Sequence, residues 1–256
     1  MDKRRILILG GTAEARNLAG VLADRTDLAV TLSLAGRTLD PAPQPVPVRT
    51  GGFGGVEGLS AHLRDEAIDL LIDATHPFAR QISANARAAS AATGIPLLRL
   101  ERLGWDMVEG DRWTRVANMT EAVGALGKVP RRVFLAIGRQ EAKAFDAAPQ
   151  HHYLVRSVDP VDPTLVAPDV DYLLARGPFT VDAEVELLRG HRIDVVVSKN
   201  SGGDATYGKI VAARSLGLPV VLVDRAEAQD GHHAGTVQDA VRLADHLIGS
   251  SRKRGV

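Results

Sequence analysis

Short, nearly unbroken apolar runs recur along the whole chain, each followed by a turn and then a helical period. They occupy residues 5–9, 29–34, 68–73, 96–100, 133–137, 153–158, 172–175, 193–198 and 219–223. A strand with one wet face alternates apolar and polar residues, whereas a run that is apolar throughout is covered on both faces, as in a parallel sheet flanked by helices. Between the runs, apolar residues return at helical spacing. Val56, Leu59 and Leu63 mark one helix; Phe78, Ile82, Ala86 and Ala89 mark another, with Pro77 in its first turn and Gly94 as its C-terminal cap. A last helix follows Thr236, an N-cap residue, with Val237, Ala240, Val241, Ala244, Leu247 and Ile248 on one face. This alternation predicts an α/β fold with mostly parallel sheets.

The pattern also repeats. Gly11 with Gly138, Glu14 with Glu141 and Ala15 with Ala142 coincide at one offset, each following an apolar run. Ile68-Asp69 recurs as Ile193-Asp194, and Gly94-Ile95-Pro96 as Gly217-Leu218-Pro219, with only a small slip of register. Gly and Pro belong at such punctuation points in any α/β chain. The agreement nevertheless predicts two Rossmann-like halves, 1–128 and 129–256, with a cleft between them and a boundary near residues 127–131. The chain has 256 residues, enough for two cores. Its 31 basic and 31 acidic residues balance, which gives no footing for a nucleic-acid or membrane-surface role. No apolar run approaches the length of a membrane span, and the basic start (Lys3, Arg4, Arg5) precedes too short an apolar stretch for a signal peptide. The absence of cysteine excludes disulfides, thiolate metal sites and a cysteine nucleophile. A cytoplasmic protein is expected, its oligomeric state open and its tail, residues 250–256, disordered.

Chemistry is expected where strands end, because ligands of open α/β sheets bind outside the carboxyl ends of the strands. Gly10-Gly11-Thr12-Ala13-Glu14-Ala15-Arg16 joins the first strand to a helix, so Gly10, Gly11, Thr12, Ala13, Glu14 and Arg16 are candidate phosphate-binding positions. The spacing departs from G-x-G-x-x-G, and a tight turn with no ligand uses the same glycines. The second strand runs out to Arg37, where NAD sites carry an acid; an arginine there suits the 2′-phosphate of NADPH, although a solvated turn would also hold one. Gly51 and Gly52 end another run, and Ala74, Thr75, His76, Pro77 and Phe78 a third. His76 fits either acid–base work or a hydrogen bond at the start of a helix. In the second half the strand-end loops hold Arg139, Arg176 and the stretch Lys199, Asn200, Ser201, Gly202, Gly203, Tyr207 and Lys209. So polar, basic and glycine-rich a stretch reads as an anion-binding loop. No Tyr-x-x-x-Lys pair and no P-loop is present. The pairs His151-His152 and His232-His233 lack acidic partners at fixed spacing and read as surface loops, so no metal site is expected.

Taken together, Gly10-Gly11-Thr12-Ala13-Glu14-Ala15-Arg16, Ala74-Thr75-His76-Pro77-Phe78-Ala79, Arg176-Gly177-Pro178-Phe179 and Ser198-Lys199-Asn200-Ser201-Gly202-Gly203 resemble the precorrin-6A reductase family of cobalamin biosynthesis. The segment from Thr206 through Val221 resembles it too, with Gly208 where alanine is expected. The resemblance implies NADPH-dependent reduction of precorrin-6A to precorrin-6B, or of its cobalt-containing form. It implies NADPH on the first half and a carboxylate-rich tetrapyrrole bound by residues of the second, with no catalytic side chain named. A non-catalytic NADP-sensing module is the alternative from another class.

Overall fold

A computed structural model describes residues 3–36, 42–225 and 231–251. The first run becomes β1 (Arg4–Leu9), whose Ile6, Leu7, Ile8 and Leu9 are all buried, as a strand covered on both faces requires. It leads into α1 (Ala13–Ala23) and then β2 (Leu28–Leu34), β3 (Val48–Thr50), α2 (Gly55–Asp65), β4 (Leu70–Asp73), α3 (Arg80–Thr93) and β5 (Leu97–Leu100). There follow β6 (Trp113–Val116), α4 (Met119–Ala125), β7 (Arg132–Ala136), the short α5 (Arg139–Ala142), a 3-10 turn (Lys143–Ala147), β8 (His152–Ser157) and β9 (Val170–Leu174). The chain closes with α6 (Val181–Gly190), β10 (Val195–Lys199), α7 (Gly208–Ser215), β11 (Val220–Val223), β12 (His232–Ala234) and α8 (Val237–Ser251).

These strands form two six-stranded sheets, in the orders β12-β5-β4-β1-β2-β3 and β6-β11-β10-β7-β8-β9. Every pairing is parallel. The orders are the same once β1 is matched with β7, β2 with β8, β3 with β9, β4 with β10 and β5 with β11, so the internal repeat is a repeat of topology. Gly11 and Gly138 both lie in the first strand-to-helix turn of their unit with positive φ, 111° and 85°.

The division of the chain differs from the expected halves. One compact unit is Met1–Leu103 with Ala228–Val256, and the other is Gly104–Glu227. The reason is an exchange of the sixth strand. β6 follows β5 in the chain but pairs with β11 of the second unit, and β12 returns from the end of the chain to pair with β5 of the first. α8 follows β12 and adds Ala240, Ala244 and Leu247 to the core built on Ile6, Ile8, Leu18, Ile72 and Leu98. Its start is as expected: Asp239 N–H donates to Thr236 Oγ1 at 3.1 Å. The helix runs through Ser251, so residues 250 and 251, expected to be disordered, are helical; residues 252–256 lie outside the described residues. Among the described residues no helix is long and apolar enough to cross a membrane.

Candidate functional site

In the first unit the strand order reverses between β1 and β4, which opens a crevice at their carboxyl ends. Gly10 lies where a Cβ would come 2.6 Å from Leu32 Cδ1, so a larger residue there would require the Leu32 side chain of β2 to shift. A Cβ on Gly11 would meet nothing within 4 Å, which leaves open space beside its backbone. Thr12 caps α1, accepting from Ala15 N–H at 3.1 Å, and its hydroxyl donates to Ala74 O at 2.8 Å. One side chain thereby ties the β1 turn to the β4 loop across the crevice. Ala13 opens the helix. Glu14 pairs with Arg102 at 2.5 Å, beyond the end of β5. Arg16 is on the exposed side of α1, lining a surface depression with Gly20, Asp24 and Pro45.

The β4 loop rests on a buried polar network that sequence reasoning missed. Asp73 accepts from Thr75 N–H at 3.1 Å and from Thr75 Oγ1 at 2.7 Å, and it pairs with Arg99 at 2.5 Å. Arg99 also reaches Ser83 Oγ at 3.1 Å and Glu101 at 3.0 Å. The clue was Arg99, a charged residue within an otherwise apolar run. The helix expected from Pro77 begins later, at Arg80. Residues 76–79 form a turn in which Ala79 N–H donates to His76 O at 2.8 Å and Phe78 N–H to His76 Nδ1 at 3.2 Å. The hydrogen bond that His76 accepts thus lies in this turn, ahead of the start of α3. Gly51 N–H donates to Leu34 O at 2.9 Å, joining the ends of β2 and β3, and Gly52 is exposed just beyond. Arg37 lies outside the described residues.

The second unit has the equivalent crevice between β7 and β10, with different chemistry. Gly138 leads into α5, which is only four residues long and starts at Arg139. Across from it Lys199, at the end of β10, is largely buried and donates to Glu141 Oε1 at 2.5 Å. Burial pushes the Lys199 ammonium below the ordinary lysine range, and the carboxylate of Glu141 opposes that shift in part. Ser201 N–H donates to Lys199 O at 2.8 Å in a tight turn that carries Gly202 and Gly203 at positive φ, 65° and 70°. Arg176 is exposed after β9. Its loop is drawn to this turn, because Phe179 N–H donates to Ala205 O at 3.2 Å. Beneath it, the buried Arg156–Glu184 pair sets its guanidinium 3.8 Å from the Phe179 ring centroid. A Cβ at Gly208 would come 2.7 Å from Phe179 O, which accounts for glycine where the family pattern suggested alanine.

Three predicted positions of this loop serve another partner. Asn200 Oδ1 accepts from Trp105 N–H at 2.7 Å and its Nδ2 donates to Trp105 O at 3.2 Å. Tyr207 tilts against the Trp105 ring at 5.5 Å, and its hydroxyl accepts from Arg214 at 2.8 Å. Lys209 donates to Thr206 O at 2.6 Å with its ammonium 4.8 Å from the Trp105 ring centroid. His151 and His152, expected in a surface loop, are buried, His151 just before β8 and His152 as its first residue. Burial lowers the His151 pKa, and its Nδ1 accepts from Arg131 N–H at 3.2 Å.

The precorrin-6x reductase CbiJ/CobK family model matches residues 5–245. The chain belongs to this family. It is 55% identical over 248 residues to the precorrin-6A reductase of Sinorhizobium sp, covering 97% of this chain and 95% of that protein. The corresponding protein of Rhodobacter capsulatus is 53% identical, with 94% and 96% covered. The cobalt-precorrin-6A reductase of Priestia megaterium is 28% identical, with 92% and 96% covered. A solved structure named CobK precorrin-6A reductase superposes with a TM-score of 0.90 at 52% identity, covering 95% of this chain and 97% of that one.

Proposed function

We propose that this chain reduces precorrin-6A to precorrin-6B with NADPH, delivering a hydride to a ring carbon of the macrocycle. The observation that carries the cofactor half is the β1–β4 crevice: Gly11 leaves open space beside its backbone, and the capped, eleven-residue α1 starts there. A helix N-terminus beside an unobstructed glycine backbone favours a pyrophosphate, so the residues present fit a dinucleotide. Arg37 supplies the charge expected for a 2′-phosphate. When bound, the nicotinamide supplies the hydride; the protein's part is to orient it and exclude competing reactions. The second unit offers Arg139, Arg176, Lys199 and the 201–203 turn for the carboxylates of the substrate. Cobalt-free substrate is favoured over the cobalt form, because the relatives named for the former are 55% and 53% identical and the one named for the latter 28%.

The test is NADPH oxidation followed by absorbance, with and without the tetrapyrrole. Oxidation that requires precorrin-6A, with NADPH preferred over NADH, is expected. Arg37→Ala then raises the KM for NADPH about 10- to 150-fold, the loss of a charged hydrogen bond worth about 1.5–3 kcal/mol. NADPH binding without tetrapyrrole-dependent oxidation supports the sensing module instead, and equal use of NADH and NADPH removes the role given to Arg37.

A further inference from the structure

The carboxyl end of β3 carries an arrangement that neither the glycine content nor the family motifs assign. Arg49 donates from Nη1 to Gly51 O at 2.6 Å and from Nη2 to Gly52 O at 2.8 Å. Its guanidinium lies 3.8 Å from the Phe53 ring centroid, and Phe53 in turn meets the His62 ring of α2 at 5.2 Å. In a planar trans peptide, the C=O of one residue and the N–H of the next point in opposite directions. With the Gly51 and Gly52 carbonyls turned onto Arg49, the N–H groups of Gly52 and Phe53 point away from it. Among the described residues, neither N–H has a protein acceptor.

The turn is fastened on both sides. Gly51 N–H holds it to Leu34 O at the end of β2. Phe53 O is seated on α2 at Gly58, where a Cβ would come within 1.7 Å of it. The ends of β2 and β3 therefore make one surface, and in dinucleotide folds the adenosine ribose lies beyond the end of the second strand.

We propose that Arg49 is a positioning residue for the adenosine 2′-phosphate of NADP(H), an inference that rests on the cofactor reading above. It draws two acceptor oxygens inward, so the turn presents N–H donors to the anion instead of carbonyl oxygens that repel it. The fork of the guanidinium matters as well as its charge, because two carbonyls must be held at once.

Calorimetric titration of the full chain with 2′,5′-ADP and with 5′-AMP isolates the phosphate from the rest of the cofactor. Wild-type protein should bind 2′,5′-ADP at least about 10-fold more tightly, about 1.4 kcal/mol. In Arg49→Met that ratio should fall to about threefold or less while 5′-AMP affinity is kept, and Arg49→Lys should recover only part of it. An unchanged ratio in Arg49→Met overturns the proposal. So does parallel weakening of both ligands with a lowered melting temperature, the mark of a role in folding alone. If Arg49→Met does not fold, a wild-type ratio in Arg49→Lys overturns it equally. A wild-type protein that does not distinguish the two ligands rejects the NADPH reading itself, before any variant is compared.

Discussion

Lys199 is largely buried, and the carboxylate of Glu141 lies against its ammonium. Burial lowers the pKa of the ammonium; Glu141 raises it again through its charge and its hydrogen bond. On the proposed reading the ammonium binds substrate carboxylates, so affinity should weaken as pH rises and the proton leaves, starting below the range of an ordinary lysine. Glu141→Gln removes the opposing influence, so the alkaline limb of a Kd–pH profile should move to lower pH. Lys199→Met should remove that limb and weaken substrate binding while leaving NADPH affinity within about threefold, or roughly 0.7 kcal/mol. A Glu141→Gln profile displaced to higher pH would show that the carboxylate does not support this charge. The sequence pattern did reveal the place of Lys199 at the end of a strand, because an apolar run that stops at a polar, glycine-rich stretch marks a strand end. What it did not reveal is that Asn200, Tyr207 and Lys209 also meet a distant residue, because a loop's composition names its donors but not their partners. The partner here is Trp105, 95 positions from Asn200 in the chain.

At the scale of elements, the apolar runs exposed the central strands and missed three at the edges. β3, β6 and β12 have three or four residues each, and much of their length is exposed, so no continuous apolar run marks them. Those edges decide the domain boundary: sequence order suggests a cut near 128, whereas β6 and β12 cross between units. A fragment spanning Gly104–Glu227 retains all six strands of its sheet and should melt cooperatively by circular dichroism. A fragment of residues 129–256 lacks β6 and α4 and carries α8 without its core. It leaves Leu247 and its neighbours unburied, at a cost of about 1.5–3 kcal/mol for each large side chain. It should show no cooperative transition. Cooperative melting of that fragment would mean that the exchanged strands are dispensable.

Across the whole molecule, one strand order is used twice while the chemistry of its two reversal points diverges. In the first unit the crevice has open glycine backbone and a capped helix of eleven residues; in the second it has an ion pair and a helix of four. Gly11 and Gly138 are a matched pair for testing that divergence. Both have positive φ, and a Cβ at either would meet nothing within 4 Å, so substitution strains the backbone without a clash inside the protein. Such strain costs about 1–3 kcal/mol for a non-glycine residue. Gly11→Ala and Gly138→Ala should therefore lower the melting temperature to a similar extent. Their ligand effects should part. Gly11→Ala puts a methyl group into the open space that the proposed reading gives to the pyrophosphate, and should weaken NADPH binding by about 10-fold or more, at least about 1.4 kcal/mol. Gly138→Ala should leave NADPH affinity within about threefold, because the proposed reading puts the dinucleotide on the first unit. Separate titrations of each variant with NADPH, beside thermal melts, decide it. If Gly138→Ala loses NADPH and Gly11→Ala keeps it, the two units carry the opposite ligands, and the arginines and Lys199 of the second unit then face the cofactor's phosphates instead of the tetrapyrrole's carboxylates.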